Sequence, residues 1–366
     1  MGAALESVHF HSLRIAEIRH DTRDALVVGF DIPDALAERF RYVQGQHLTL
    51  RTVVDGEEMR RSYSICSAVQ DNAPRIAIKR VAGGVFSEWA HTHLAIGAAI
   101  DVMPPEGRFH VPLSPDNARH VLAFAAGSGI TPILSIAKTT LLAEPRSHFT
   151  LVYGNRASST VMFREELAEL KDRTLDRFNL VHVLSREHQD VELFNGRITK
   201  EKCDALLSQW IALDDVDVAF ICGPEEMTRA VVASLEAHGL HGDRIKTELF
   251  AAGSPLERRP RAPSASAGAK ARSCEVTLVL DGVERRFSMP REDESLLDAA
   301  LAAGIYVRHS CKGGVCATCR CKVIEGEVDM DANHALEDYE IARGFVLSCQ
   351  SFPAGEKLVV DFDRDD

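Results

Sequence analysis

The sequence predicts three domains: an antiparallel β-barrel, an α/β domain with a parallel sheet, and a small α+β domain. Short apolar strands fill residues 10 to 111, and from residue 119 apolar strands alternate with amphipathic helices. A segment without apolar periodicity then interrupts the chain at residues 251 to 273. A length of 366 residues suits two or three domains. We therefore place the domains at 1–113, 114–250 and 274–366, with 251–273 as a linker.

The first domain contains six segments with the composition of β-strands. They are SLRIAEI, ALVVGFDI, HLTLRTVV, RRSYSIC, RIAIKRV and AAIDVM. Asp55-Gly56 between the third and fourth segments is typical of a two-residue hairpin turn. Strands this short, joined by turns, predict a small antiparallel barrel.

The second domain contains five apolar strands separated by amphipathic stretches. The strands are HVLAFAAG, HFTLVYG, FNLVHVLS, VDVAFICG and IKTELF, and we expect the first of the helices between them to begin at Pro132. This alternation predicts a doubly wound parallel sheet.

The segment 251–273 is rich in Ala, Ser, Gly and Pro, with five basic residues and one acidic residue. As a flexible coil its 23 residues would span about 25 Å, which would let the flanking domains reorient. Residues 274–366 carry ten basic and 19 acidic side chains, a net charge of −9. Such an acidic domain suits docking on a basic partner surface.

Composition also excludes some classes of protein. A net charge of −12 argues against a protein that wraps nucleic acid. No apolar run reaches the roughly 18 residues of a membrane span, and charge enters the N-terminus too early for a secretory signal. We therefore expect a cytoplasmic protein without a membrane partner, in which clustered cysteines indicate metal or redox chemistry.

Four of the nine cysteines have the spacing of an iron–sulfur site. Cys311, Cys316 and Cys319 form C-x4-C-x2-C, and Cys349 follows, which is the plant-type ferredoxin arrangement for a [2Fe-2S] cluster. Structural zinc is the alternative for CATC, but zinc sites usually combine two C-x2-C pairs and the chain has one. The remaining thiols near and outside this stretch are expected to be packed bystanders: Cys321, Cys274, Cys203 and Cys66.

The first strand of the α/β domain ends in AAGSGITP, which has the composition of a phosphate-binding turn. Gly127 and Gly129 would let the backbone approach a phosphate, and Pro132 suits the first turn of a helix. The fourth strand ends at Cys222 and Gly223, at the same carboxyl edge, where open α/β sheets bind ligands. The alternative for the glycine motif is a plain tight turn. The alternative for Cys222 is a buried small residue.

Two motifs in the barrel could hold a flat phosphorylated cofactor. In RRSYSICS, an aromatic plane beside a guanidinium can stack a ring and pair a phosphate. In GGVFSEWA, a Gly-Gly helix start can hold a second phosphate. Half-buried packing and a solvated charge are the alternatives for Tyr63 and Arg61. The residues concerned are Arg61, Tyr63, Ser64, Gly83, Gly84 and Ser87.

The order R-x-Y-S, G-G-x-x-S, G-x-G-x-x-P and C-G-P resembles the ferredoxin-NADP reductase family over residues 8 to 250. The resemblance implies that Arg61 contacts the flavin pyrophosphate, Tyr63 stacks on the flavin ring and Ser64 approaches its N5. It also assigns Gly83, Gly84 and Ser87 to the flavin pyrophosphate and Phe250 to the flavin face. The nicotinamide nucleotide would be received by Gly127, Gly129, Thr131 and Pro132. Its nicotinamide ring would lie beside Cys222 and Gly223. Tyr63, Ser64 and Cys222 would be the catalytic residues.

Nucleotide preference is indicated by LSREHQ after the third strand of the α/β domain. Ser185 and Arg186 could bind a 2′-phosphate, and no acidic residue for a ribose hydroxyl follows the second strand in YGNR. NADPH is therefore favoured over NADH. Arg156 and Arg197 are further candidates.

The last domain resembles the small β-grasp ferredoxins, and the whole chain resembles the reductase components of oxygenases. The matching stretches RSYSICS, YGNR, CKGGVCATCRCKV, EGEVDM and ALEDYEIARGFVLSCQS resemble the bacterial phenylacetyl-CoA epoxidase reductases most. The resemblance implies FAD, NADPH and a [2Fe-2S] cluster, with electrons leaving for a di-iron oxygenase. Alternatives are a reductase of another oxygenase, steroid hydroxylase or desaturase, and a non-catalytic iron–sulfur sensing protein.

Overall fold

The structure is a computed structural model that describes residues 10–250, 273–291 and 294–364. The predicted linker, apart from Ser273, and the first nine residues lie outside these ranges. Two compact units contain the described residues, one formed by 10–250 and the other by the C-terminal part. Each unit is described separately.

Six antiparallel strands form the first sheet, as predicted. They are β1 (His11–Thr22), β2 (Ala25–Asp31), β3 (His47–Val54), β4 (Glu57–Ser64), β5 (Arg75–Lys79) and β6 (Ala99–Val102), in the order β4-β3-β6-β1-β2-β5. A bridge between Ile65 and Ile76 joins the two edges, so the sheet closes into a barrel-like form. Asp55 and Gly56 form the predicted hairpin turn, both with positive φ. Helix α1 (Val85–His93) follows β5.

Five parallel strands form the second sheet, and the predicted alternation with helices is confirmed. In chain order the elements are β7 (His120–Ala126), α2 (Ile130–Ala143), β8 (His148–Asn155), α3 (Arg164–Thr174), β9 (Phe178–Leu184), α4 (Lys200–Gln209), β10 (Val216–Gly223), α5 (Glu225–Ala237) and β11 (Ile245–Leu249). The strand order is β11-β10-β7-β8-β9, so the winding reverses between β7 and β10. Ligands of such sheets bind at the carboxyl ends beside this reversal. Helix α2 begins two residues before the predicted Pro132.

The barrel and the α/β sheet share one hydrophobic core. Ala25, Val27 and Ala77 of the barrel belong to the same buried cluster as Ile133 and Ile136 of α2. A buried hydrogen bond of 2.7 Å from the Ser135 hydroxyl to the Ser67 carbonyl crosses the same contact. The predicted boundary at 113/114 therefore falls inside continuous packing, which fixes the two sheets relative to each other.

The C-terminal unit is the predicted small α+β domain. Its elements are β12 (Ser273–Leu280), β13 (Val283–Pro290), α6 (Leu296–Ala302), β14 (Arg320–Glu325), β15 (Val328–Met330), α7 (Asp338–Ala342), β16 (Phe345–Leu347), β17 (Ser351–Pro353) and β18 (Lys357–Asp361). The main sheet has the order β13-β12-β18-β14-β16, with β12 and β18 parallel. Buried leucines and alanines of α6 pack in the core of this unit. Within the described ranges, no helix has the length and apolarity to span a membrane.

Candidate functional site

Cys222, at the carboxyl edge of the parallel sheet, is fully buried between two neighbouring strands. It pairs in register with Ala125 of β7 on one side and Glu248 of β11 on the other. The turn after β7 packs directly on it, because a Cβ at Gly129 would lie 2.1 Å from the Cys222 carbonyl oxygen. A side chain at position 129 would clash with this carbonyl, so the position requires glycine whether or not a phosphate binds there.

Ser64, the last residue of β4, reaches the same point from the barrel. Its hydroxyl donates a hydrogen bond of 3.0 Å to Oε2 of Glu248. Burial raises the pKa of Glu248 to about 7, although the Ser64 bond opposes that rise. Burial, and then the Glu248 carboxylate, raise the pKa of the Cys222 thiol. The structure thus brings together two sequence-predicted residues, Ser64 and Cys222, and adds Glu248.

Sequence reasoning missed Glu248, although it stands in the quoted strand IKTELF. An acidic residue inside a short apolar strand of a parallel sheet was the available signal, because a carboxylate there must find a polar partner. Phe250 lies two residues further along the chain and is 38% exposed. Its ring is therefore accessible to a flat group such as the predicted flavin.

Arg61 and Tyr63 lie on one face of β4, and Ser64 lies on the other. The Tyr63 ring packs 5.8 Å from that of Phe86 in α1, centroid to centroid. Burial raises the pKa of Tyr63, so its phenol stays protonated at neutral pH. Arg61 is exposed and donates a 2.7 Å hydrogen bond to the Arg60 carbonyl. A partly exposed ring beside an exposed guanidinium fits the predicted contact with flavin and phosphate.

The Gly-Gly turn leads into α1, whose N-terminus has no side-chain cap. Gly83 has φ +74°, and nothing lies within 4 Å of the position that a Cβ on it would occupy, so the turn is open there. Ser87 is buried, and its hydroxyl accepts from the Val81 N–H at 3.1 Å and donates to the Gly84 carbonyl at 3.0 Å. Ser87 therefore shapes the turn, while the free helix N–H groups fit an anion such as the pyrophosphate of FAD.

The turn from β7 to α2 would contact a nucleotide mainly through backbone atoms and less through side chains. Gly127 has φ +55°, and Thr131 and Pro132 are buried, with the Thr131 hydroxyl donating to the Ser128 carbonyl at 3.0 Å. The Lys79 amine lies 3.4 Å from the position that a Cβ on Gly127 would occupy. Burial lowers the pKa of Lys79, and nearby Arg156 lowers it further. Lys79 is a second residue that sequence reasoning missed.

The predicted nucleotide-preference residues lie at the same edge, on the loops after β8 and β9. Ser185 is partly exposed, and Arg186, Arg156 and Arg197 are exposed. The Arg186 N–H donates to the Arg156 carbonyl at 2.8 Å, which makes these two arginines neighbours.

Gly223, at the end of β10, leaves room for the Met227 side chain, since a Cβ there would lie 2.5 Å from the Met227 Cε.

The four predicted cluster ligands converge in the C-terminal unit as two pairs. Cys316 donates a hydrogen bond to Cys311 and Cys319 donates one to Cys349, and these bonds lower the pKa of each acceptor. Cys311 also accepts from the Gly313 N–H at 3.3 Å, and Cys349 from the Gly314 N–H. Backbone N–H groups directed at sulfur favour thiolates.

The paired arrangement matches a binuclear cluster, in which each iron takes two thiolates. Across 10–250, 273–291 and 294–364, no group of three or more His, Cys, Asp and Glu side chains is arranged around a single metal ion. The four thiols predicted as bystanders, Cys66, Cys203, Cys274 and Cys321, are all buried without disulfides. Their burial suits packing.

Three family models match successive parts of the chain. They describe an oxidoreductase FAD-binding domain at residues 12–111, an oxidoreductase NAD-binding domain at 124–233 and a 2Fe-2S iron-sulfur cluster binding domain at 278–354. The three kinds of domain predicted from the sequence, and the classes of cofactor assigned to them, are thereby confirmed.

Similar proteins match over almost the whole length. A protein of the 1,2-phenylacetyl-CoA epoxidase of Escherichia coli (strain K12) is 44% identical, covering 97% of this chain and 98% of that protein. The ferredoxin reductase component of a 3-ketosteroid-9-alpha-monooxygenase from Rhodococcus rhodochrous is 34% identical over 96% of each chain. The solved phthalate dioxygenase reductase, 22% identical, shares the fold with a TM-score of 0.55 over 96% of this chain and 98% of that one.

Proposed function

Because the chain belongs to the family of oxygenase reductase components with FAD-, NAD- and [2Fe-2S]-binding domains, we propose that it carries electrons from NADPH to a di-iron oxygenase, phenylacetyl-CoA epoxidase. When bound, FAD would take the two electrons of a hydride from NADPH, and a [2Fe-2S] cluster would accept and release electrons singly. The domain content matches this sequence of transfers.

The choice of partner rests on the full-length identity of 44% to the epoxidase protein of Escherichia coli. Matching stretches at both ends of the chain, including RSYSICS and CKGGVCATCRCKV, support it. A reductase for a steroid-hydroxylating oxygenase is the second candidate, supported by the 34% identity to the 3-ketosteroid-9-alpha-monooxygenase component.

We assign the chain's own residues as follows. Tyr63 and Ser64 orient the flavin, and Cys222 borders the nicotinamide. The partly buried Glu248, whose pKa of about 7 lets it exchange a proton near neutral pH, is hydrogen-bonded to Ser64 and can hold the proton of that hydroxyl in place. The uncapped N-terminus of α1 receives the FAD pyrophosphate. Cys311, Cys316, Cys319 and Cys349 ligate the cluster.

Anaerobic titration with NADPH tests the electron-transfer part of the proposal. Two electrons for FAD and one for the cluster predict uptake of about three electrons per chain. Loss of both flavin and cluster absorption should accompany the uptake. Uptake of a single electron, or cluster absorption without flavin, would contradict it.

Reconstitution tests the partner. NADPH-driven oxidation of phenylacetyl-CoA by the purified di-iron component should require this chain. The same assay with a 3-ketosteroid and its oxygenase should give little turnover. Turnover with the steroid system alone would move the assignment to the second candidate.

A further inference from the structure

The loops that follow β8 and β9 are joined by two backbone hydrogen bonds. The Ser185 N–H donates to the Asn155 carbonyl at 3.0 Å, and the Arg186 N–H donates to the Arg156 carbonyl at 2.8 Å. Arg156 and Arg186 therefore begin from adjacent, hydrogen-bonded backbone positions. Both side chains are exposed at the carboxyl edge of the sheet.

Neither guanidinium has an ion pair or side-chain hydrogen bond with another residue in the described part of the chain. Two neighbouring cations repel each other unless an anion lies near both. Arg156 is also close enough to Lys79 to lower the pKa of that amine, and Lys79 lies beside Gly127. Positive charge thus extends from the glycine turn to Arg186.

Glu187 is the carboxylate nearest in sequence to Arg186, but of the residues that the structure describes it is hydrogen-bonded to Ser158 and not to an arginine. Its Oε2 accepts two hydrogen bonds from Ser158, one from the backbone N–H at 2.7 Å and one from the hydroxyl at 2.9 Å. These bonds lower the pKa of Glu187, with a smaller contribution from Arg164, so the group is charged at neutral pH. A charged carboxylate next to Arg186 in the chain could otherwise pair with either arginine.

We propose that Ser158 is a positioning residue that holds Glu187 away from Arg156 and Arg186, so that both guanidiniums remain available for the 2′-phosphate of NADPH. The proposal rests on the NADPH-linked function above and adds a specificity device to it. Without the Ser158 hydroxyl, Glu187 keeps only the bond from the backbone N–H, and its carboxylate then competes with the phosphate more of the time, as an anion tethered to the same loop at high effective concentration. Freed glutamate can also bind ribose hydroxyls, as acidic residues do in NAD sites.

Binding of 2′,5′-ADP and 5′-AMP to the full flavoprotein, measured by calorimetry, separates the 2′-phosphate from the rest of the nucleotide. The proteins compared are the wild type, Ser158→Ala, Ser158→Thr, Glu187→Gln and the Ser158→Ala/Glu187→Gln double variant. Ser208→Ala is the matched control, because the Ser208 hydroxyl bonds only carbonyls of its own helix among the described residues.

Ser158→Ala should weaken 2′,5′-ADP binding about three- to tenfold, the range of one ordinary hydrogen bond, and should not weaken 5′-AMP binding. Ser158→Thr should restore the wild-type value, and Ser208→Ala should not differ from it. Glu187→Gln should bind 2′,5′-ADP at least as tightly as the wild type, and adding Ser158→Ala to it should have no further effect.

Equal weakening of both ligands by Ser158→Ala, or an unchanged Ser158→Ala effect in the Glu187→Gln background, would overturn the proposal. The wild-type protein tests the underlying function separately. If it binds 5′-AMP as tightly as 2′,5′-ADP, the NADPH preference is wrong and the role of Ser158 falls with it.

Discussion

The Ser64 hydroxyl and the Glu248 carboxylate, 184 residues apart in sequence, are joined by a 3.0 Å hydrogen bond. The bond links the end of a barrel strand to the last strand of the parallel sheet. It lies beside the buried Cys222 thiol, which pairs with Glu248 in register. Ionisation of a carboxyl group in this position should affect both the free energy of unfolding and the number of protons that the folded protein binds.

Glu248 should make stability depend on pH. Its folded-state pKa of about 7 exceeds the ordinary 4.5, so the folded protein binds more protons between these values. Its contribution to the free energy of unfolding is therefore fully present below pH 4.5 and lost as pH rises through 7. Relative to Glu248→Gln, the wild type should lose on the order of 2 kcal/mol over this range.

Urea denaturation at pH 4.5 to 8, followed by the flavin signal, measures this difference. Ser64→Ala serves as the matched variant, because loss of its hydrogen bond to the carboxylate should move the transition to higher pH. A wild-type minus Glu248→Gln difference that stays constant with pH would mean that Glu248 titrates normally.

Replacing any cluster ligand should separate the two redox sites. Cys311→Ser, Cys316→Ser, Cys319→Ser and Cys349→Ser should each abolish cluster absorption and leave flavin and NADPH oxidation by hydride-accepting dyes intact, because the flavin site lies in the other unit. Cys321→Ser, a buried strand thiol, is the control and should keep the cluster. Visible spectra and iron content decide the matter, and a cluster retained in Cys349→Ser would refute the ligand set.

Lys79 and Arg186 should affect the nicotinamide nucleotides differently. Arg186→Ala should raise the KM for NADPH about ten- to a hundredfold and hardly change that for NADH, because only NADPH has a 2′-phosphate. Lys79→Ala, beside the glycine turn, should raise both KM values together, since the pyrophosphate is common to both. Steady-state kinetics with an artificial acceptor distinguish the two patterns. Equal effects of Arg186→Ala on both nucleotides would place that side chain elsewhere.

A truncated fragment should fold only if it keeps the core that the barrel and the parallel sheet share. A fragment ending at Ala262 should be a soluble flavoprotein that NADPH reduces, because residues 10–250 form one compact unit. A fragment of residues 114–250 should aggregate, because its α2 would expose Ile133 and Ile136, which pack with the barrel. Solubility and circular dichroism of the two fragments give the answer. A stable 114–250 fragment would show that the barrel is dispensable for that sheet.

Ionic strength should affect electron delivery but not internal transfer. Residues 274–366 carry a net charge of −9, and screening shortens from about 30 Å at 0.01 M salt to about 8 Å at 0.15 M. NADPH-driven epoxidation should fall over this range where encounter limits turnover, while cluster reduction within the chain, which needs no encounter, should change little. Stopped-flow and steady-state rates measured together separate the two steps. Salt-independent epoxidation under those conditions would argue against charge-guided docking.

The sequence by itself determined the order of domains and the strands of the first two, and it predicted the four cluster ligands. Periodicity identified β1 to β11 because burial of one face or both leaves a pattern within a few residues. The spacing of Cys311, Cys316 and Cys319 identified the cluster loop because a compact ligand set needs nearby thiols. The helix start at Ile130 instead of Pro132 shows the limit of such local patterns, since a short turn can join a helix without a sequence break.

Tertiary structure alone decided which distant groups meet. Glu248 became a candidate site residue only when β11 was placed next to Cys222 and opposite Ser64. Gly129 has a reason that its motif does not contain, namely contact with the Cys222 carbonyl. The bonds between Ser158 and Glu187 likewise join two loops of a folded sheet. Contacts across long separations depend on strand order and packing, which local periodicity does not specify.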